Sequence, residues 1–295
     1  FLTVDDKVEF TVSIEQEGTY IISFDMAATQ SFINPTEGQL RIDGQFPNTD
    51  SRRVIFPIFY QSTSDQFPVD RYGNDALIRQ ERLIRWTKYD LRDANFSLRY
   101  PLQYNLTPGE HTIEFQVTRE SMLLGSVYLT PFTKYPDYSE YLSSQSKDDS
   151  SGVFIEIEAE FPTFKNDTSI RPVNSRSLEV TPYDTYKLLL NSMGGDSWDR
   201  SGSAVYYEFD APQDGYYCIT LRALQNYKNN FTVFRRITID EQILFEELND
   251  ISYFSSNRWA NMPIGGDTPY KIYLTQGTHI LGIEANDAPY HSAIE

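Results

Sequence analysis

Cysteine is almost missing from this sequence: its 295 residues include one, Cys218. A single thiol excludes an internal disulfide and any zinc site built from several cysteines. Histidine is scarce too, with three in the chain, and no HExxH, nucleophile-elbow or phosphate-loop pattern occurs. Acid–base hydrolysis by two placed carboxylates finds no support either, because acidic residues are so frequent that chance pairs carry no information. Basic residues number 25 against 42 acidic ones, a net charge of −17. That balance argues against nucleic acid or an anionic membrane surface as a partner. No apolar run approaches the roughly 18 residues a spanning helix needs, so no transmembrane segment is expected. No signal peptide is visible, and a chain opening on Phe1 rather than Met is expected to have lost an N-terminal segment.

What is abundant is aromatic: 21 Tyr, 19 Phe and 3 Trp. That content excludes intrinsic disorder and suits β structure. The chain also repeats itself. VEFTVSIEQEGTYIISF from Val8 matches VYYEFDAPQDGYYCITL from Val205, and Gly18 and Gly215 are 197 apart, as are Asp43 and Asp240. Arg85-Trp86 then matches Arg258-Trp259 at a spacing of 173, so the first copy carries 24 additional residues between Asp43 and Trp86. Leu106, Thr107, Gly109 and His111 match Leu274, Thr275, Gly277 and His279 at a spacing of 168. Ordered landmarks with so few gaps indicate two copies of one unit.

The unit is β. Runs of period two separated by glycine-containing turns predict hairpins at Val8–Phe24 and again at the LTPGEHTIEF and LTQGTHILGI stretches. Strands recur between turn signals and no long stretch has the helical period, so the fold class is all-β: two tandem antiparallel β-sandwich domains. Only Asp75–Trp86 carries a helical pattern, largely within the additional residues. The expected domains are 1–135, a connection at 136–152 around the polar run Ser143–Gly152, and 153–295. By comparison of the copies, the first lacks its N-terminal strands and the second its last strand, so the chain is expected to be a piece of something longer. Cys218 lies between apolar residues in YYCITL and is expected to be buried and inert. His111 and His279 are expected to be structural.

The order FIEIEAEF (Phe154–Phe161), NSMGGDSW (Asn191–Trp198), the DGYY turn, ITIDEQILFEEL and the final YLTQGTHILGI resembles the galactose-binding-like jelly rolls of carbohydrate-binding modules of the six and thirty-five type. More closely, both copies look like the tandem β-sandwich region that precedes the solute-binding domain in large extracellular proteins of Gram-positive sugar ABC transporters. The resemblance implies an extracellular or cell-surface location. It also implies a non-catalytic saccharide-binding role, with an oligo- or polysaccharide and a transporter receptor domain as partners. A structural spacer or docking module is the alternative, and accessory domains of a secreted glycoside hydrolase the second.

Sugar recognition needs flat aromatic faces and side chains that read hydroxyls. Trp198 beside Asp199, Tyr227 after Asn226, Arg235, and Trp259 are the residues of the right types in loop-like surroundings. Core filling is the competing account. It is favoured for Trp259, because Trp86 holds the same place in the other copy, and stands about even with sugar contact for Trp198. Glu158 and Glu160 alternate along the expected first strand and would share one face. In modules of the resembled type the second glutamate of this motif helps bind a structural calcium, to which Glu158, Glu160 and Asp287 could contribute oxygens. Solvated or hydrogen-bonded edge carboxylates are the competing reading.

Overall fold

The structure, a computed structural model, describes residues 1–29, 34–145, 152–227 and 229–292. It is almost entirely antiparallel β, with two short α-helices, Tyr138–Ser144 and Ala288–Ser292, among the described residues. Two compact units divide it: Phe1–Phe59 with Arg82–Lys134 and the residues from Tyr290, and Tyr60–Glu81 with Tyr135–Pro289. The segment that the repeat comparison singled out as additional is therefore mostly part of the second unit.

In the first unit, strand Gly109–Arg119 is flanked by Lys7–Ile14 and Glu37–Ile42, and Val54–Ile55 extends that sheet. The facing sheet centres on Gly18–Ala28, flanked by Met122–Pro131 on one side and by Thr87–Asp90 and Gln103–Leu106. Alternation puts Leu40, Ile42, Ile113, Phe115 and Val117 from one sheet against Ile22, Phe24 and Met26 from the other, all buried. Phe115 meets Phe24 edge-on at 4.9 Å and Phe56 at 5.5 Å, so the sheets are joined by interlocked rings. The second unit repeats the plan. Its main sheet runs Ile251–Tyr253, Val233–Ile239, Gly277–Ala285, Ala204–Ala211, Phe164–Lys165, Phe59–Ser62 and Gln80–Leu83. Against it lie the pairs Gly215–Tyr217 with Ile272–Leu274 and Thr220–Ala223 with Ala260–Pro263, around Val205, Ile237, Phe245, Leu248 and Ile272.

Four expectations are corrected here. The glycine turns do not make hairpins: Lys7–Ile14 pairs with Gly109–Arg119, while Gly18–Ala28 belongs to the other sheet. Each turn is an arch that carries the chain between sheets, and paired arches lie side by side. Period two with a glycine turn is common to hairpin and arch, so the pattern alone does not separate them. Asp75–Trp86 is not helical; Gln80–Leu83 is a strand beside Phe59–Ser62, because backbone pairing at a sheet edge outweighs a short periodic pattern. Cys218 is exposed: Tyr217, Ile219 and Leu221 pack inward, so alternation turns the residue between them outward. Glu158 and Glu160 lie on no strand; the first strand after the connection is Phe164–Lys165. Within 136–152, Asp137 caps the helix Tyr138–Ser144 through a capping box, and Tyr141 is buried in the second core. Residues 146–151 of the expected connection lie outside the described residues.

The repeat landmarks meet in one device. Asp43 follows strand Glu37–Ile42 at φ 52°, where Ile42 and Gln45 exchange backbone hydrogen bonds. A short polar side chain tolerates that left-handed conformation. Its Oδ1 accepts from the Thr112 amide at 2.8 Å and its Oδ2 lies 2.6 Å from His111 Nδ1. His111 Nε2 lies 2.8 Å from the Thr107 carbonyl, in the arch itself. The second unit has the same set: Asp240 at φ 51°, its Oδ1 2.9 Å from the Ile280 amide, its Oδ2 2.8 Å from His279 Nδ1, and His279 Nε2 2.8 Å from the Thr275 carbonyl. Carboxylate and carbonyl oxygens only accept, so both ring nitrogens must carry hydrogen, and the imidazolium is the form that satisfies the clasp.

The hydrogen bond to Asp43, with that to Thr107, raises the His111 pKa above its ordinary 6.5. For His279 burial opposes the charge, but Asp240 and Thr275 raise its pKa nonetheless. A raised pKa in the folded state means that the clasp's stabilisation is fully present below 6.5 and is lost as pH rises through the folded value. Replacing His279→Gln should therefore lower the urea midpoint at about pH 6 and make little difference at about pH 9. An equal loss at both pH values would mean that the charge is not what holds the arch.

Candidate functional site

In the second unit a buried amide, that of Gln225, organises an exposed loop. Gln225 directly follows strand Thr220–Ala223 and Leu224, and its side chain is buried. Its Nε2 donates to the Phe231 carbonyl at 2.6 Å, its Oε1 accepts from the Tyr227 amide at 2.9 Å, and its backbone carbonyl accepts from the Ser256 amide at 2.6 Å. One side chain thus closes the loop 225–231, and its own backbone fastens that loop to the chain at Ser256. Tyr227 is 61% exposed and Phe254, next to Tyr253 in the strand paired with Val233–Ile239, is 69% exposed. Asn226, Asn229, Asn257 and Arg258 are exposed around them. The register Ala223 opposite Ala260 sets the half-buried Trp259 across from Leu224. Its amide donates to Glu179 Oε2 at 3.1 Å, and Arg222 bridges the Glu179 carbonyl and Asn261.

Of the residues singled out from the sequence, Asn226 and Tyr227 lie on this loop, and Trp259 lies three residues after Ser256, whose amide donates to the Gln225 carbonyl. Trp198 and Arg235 form a different pair. The Arg235 guanidinium lies 4.9 Å from the centre of the Trp198 ring and donates to the Trp198 carbonyl at 3.2 Å. The indole Nε1 donates to the Ser203 carbonyl at 3.0 Å, the ring packs on the second core, and Gly194 sits against it where a Cβ would be 3.0 Å away. With one face under a guanidinium and its donor engaged, Trp198 is a packing residue rather than an open platform. Asp199 is exposed beside it.

Trp259 does not fill the core as the repeat argument favoured, and neither does its counterpart. Trp86 is 51% exposed, because each lies just before an equivalent strand, Thr87–Asp90 or Ala260–Pro263, rather than within it. Sequence reasoning also missed Gln225 and Phe254. The charged neighbours of Trp86 in ERLIRWTKYD were the available sign of its exposure; for Gln225 there was no local sign, since its partners lie across the fold.

The residues weighed for calcium differ in their surroundings. Among the described residues no group of three or more His, Cys, Asp or Glu side chains is placed to hold a metal. Glu158 is exposed, whereas Glu160 is buried at 6% exposure, and the Asp287 amide donates to Ser201 Oγ at 3.1 Å. Burial, with the negative charges of Glu158 and Asp75 nearby, pushes the Glu160 pKa up to about 7. Loss of hydration likewise lowers the buried Lys165 to about 8, and its ammonium donates to the Ile170 carbonyl.

Glu160 binds its proton more tightly folded than unfolded, so its contribution is present below 4.5 and is lost as pH rises through about 7. Glu160→Gln should raise stability by about 1–2 kcal/mol at pH near 8 and leave it unchanged near pH 4, read from urea unfolding at both. Trp198→Ala should cost about 2–4 kcal/mol in the same measurement, as expected for removing a packed indole.

No family model matches the chain, and no curated protein matches it. Among solved structures it is similar to a Paenibacillus sp. cycloisomaltooligosaccharide glucanotransferase complexed with cycloisomaltoheptaose, at 21% identity and a TM-score of 0.33. The likeness covers 47% of this chain and 17% of that one. It is too slight to carry a fold or an activity over to this chain.

Proposed function

We propose that the second unit is a non-catalytic carbohydrate-binding module, with Tyr227 and Trp259 as its aromatic contacts and Asn226 as a hydroxyl reader. The observation that carries this reading is the closure of loop 225–231 by buried Gln225 beneath an exposed tyrosine. A sugar ring offers C–H faces to an aromatic ring and hydroxyls to amides. A segment whose ends are tied by hydrogen bonds before binding has less entropy to lose when it takes a ligand. In the wider form of the proposal, the chain is part of an extracellular, sugar-transport-associated protein of a Gram-positive cell surface. Its partners are then an oligo- or polysaccharide and a transporter receptor domain. The proposal gives His111 and His279 a structural role, since both are engaged in the arch clasps.

A docking role is the second reading, favoured by a different surface of the same unit. Asp70 and Asp184 each accept the amide two residues on, which presents Tyr72 and Tyr186 outward on matching turns. The Asp75 amide donates to the Leu188 carbonyl and Asp75 Oδ2 accepts from the Leu190 amide, which laces the two segments together.

A glycan array with purified protein, run with calcium and with a chelator, tests the first reading. A hit confirmed by calorimetry should weaken at least about tenfold in Tyr227→Ala, with the fold unchanged by circular dichroism. A clean negative on folded wild-type protein would move the assignment to docking.

A further inference from the structure

The outward face of the first unit's second sheet carries a tryptophan, Trp86, whose ring reaches Gly125. Phe24 and Met26 point into the core, so Asp25 and Ala27 point out, and Lys88, the cross-strand partner of Asp25, points out with it. Trp86 lies just ahead of that strand, two residues before Lys88. The indole reaches over the central strand to the far one: a Cβ on Gly125 would stand 3.2 Å from the Trp86 ring and 2.9 Å from Asp25 Oδ2. The register between Met122–Pro131 and Gly18–Ala28 shifts between Leu124 and Val127, and Gly125 lies in that bulge. Bulge and missing side chain together clear the space that the ring occupies. Ala27 is fully buried although alternation turns it outward, while Trp86 itself keeps 51% of its surface exposed.

Polar groups flank the ring on the same face. The Lys88 ammonium lies 4.6 Å from the centre of the Tyr128 ring, and Tyr128, at 39% exposure, is outward opposite Ser23. Ser23 Oγ donates to Asp90, which lies opposite it on the neighbouring strand. The face therefore presents one indole, one tyrosine, an ammonium, and the carboxylates of Asp25 and Asp90. None of this serves the core, which lies on the other side of the sheet. A half-exposed tryptophan beside a glycine whose side chain would crowd the ring is surface available for contact.

We propose that this face is a second saccharide site, on the first unit, in which a sugar ring stacks on Trp86. Asp25 accepts from its hydroxyls and Lys88 donates to them. The ligand class is a neutral hexopyranose chain: one ammonium between two carboxylates leaves the face negative, which disfavours uronic acids and sulfated sugars. This inference does not depend on the loop site of the second unit; each stands on its own residues.

Affinity electrophoresis tests it, with the whole chain run through gels containing a neutral glucan, a neutral xylan, a neutral mannan or polygalacturonate. Wild type, Trp86→Ala, Gly125→Leu and Tyr227→Ala are compared, with melting temperatures as the control for folding. Gly125→Leu keeps the indole but fills its resting place, so it displaces the platform without removing it. Trp86→Ala and Gly125→Leu should each weaken retardation in the neutral gel that retains wild type by about tenfold, comparable to losing one aromatic contact and its polar partners. Retardation unchanged in both variants would overturn the proposal, and so would a wild-type chain that no neutral gel retains. Stronger retention by polygalacturonate than by every neutral gel would overturn the ligand class. If Trp86→Ala abolishes retention and Tyr227→Ala does not, this site stands and the loop site falls. If Tyr227→Ala abolishes it and Trp86→Ala does not, the loop site stands and this one falls.

Discussion

The chain must cross from one sheet to the other at a fixed point, and the histidine–aspartate clasp is what fixes it. An arch has no ladder of its own across the gap, so its backbone polar groups need partners from elsewhere. His111 reaches the arch carbonyl at Thr107 with one nitrogen and the turn at Asp43 with the other. Asp43 in turn holds the amide of Thr112, the first step of the strand that leaves the arch. Three strand ends are thereby placed by two side chains. Strand placement then decides which residues face inward, because a slip of one residue would turn every side chain to the opposite face. The same set recurs at Asp240 and His279, so both cores depend on one piece of chemistry used twice.

That chemistry was legible in the sequence as spacing before its meaning was. Asp43, Thr107 and His111, with Asp240, Thr275 and His279, are among the residues that reveal the repeat, and they form the clasp. Strand grammar was legible as well, and so was the all-β class. The arches were not, because inward–outward alternation looks the same whether a turn joins neighbours in one sheet or partners across two. Cys218 shows the converse: its apolar neighbours suggested burial, but strict alternation through Tyr217, Ile219 and Leu221 placed it outside. Glu160 defeated the reading for another reason. Its burial comes from chain outside any strand, which period-two arguments do not address.

The tryptophans divide along a similar line. Residue type and polar neighbours made Trp198 a candidate contact, yet a guanidinium from a distant strand covers it. Repetition made Trp86 and Trp259 candidates for the core, yet position just outside a strand leaves each partly in solvent. What decides exposure of a large ring is the element beside it in space, and local sequence says little about that. Gln225 is the clearest instance: a polar residue at a strand end, with nothing in its neighbours to mark it, organises the loop whose tyrosine is exposed.

The residues between Phe59 and Arg82 give the molecule an unusual order of assembly. They lie early in the chain, yet they border the strand Phe164–Lys165 of the second unit, where Lys165 pairs with Tyr60. During synthesis from the N-terminus this segment must wait for about a hundred further residues before its neighbour exists, a contact of long loop and slow closure. Until then it interrupts the first unit without belonging to it. A gene fragment cut at the visible boundary between the repeats would leave the Phe164–Lys165 edge uncovered, open to pairing with other chains. The repeat divides the sequence at one place; the compact units are divided elsewhere.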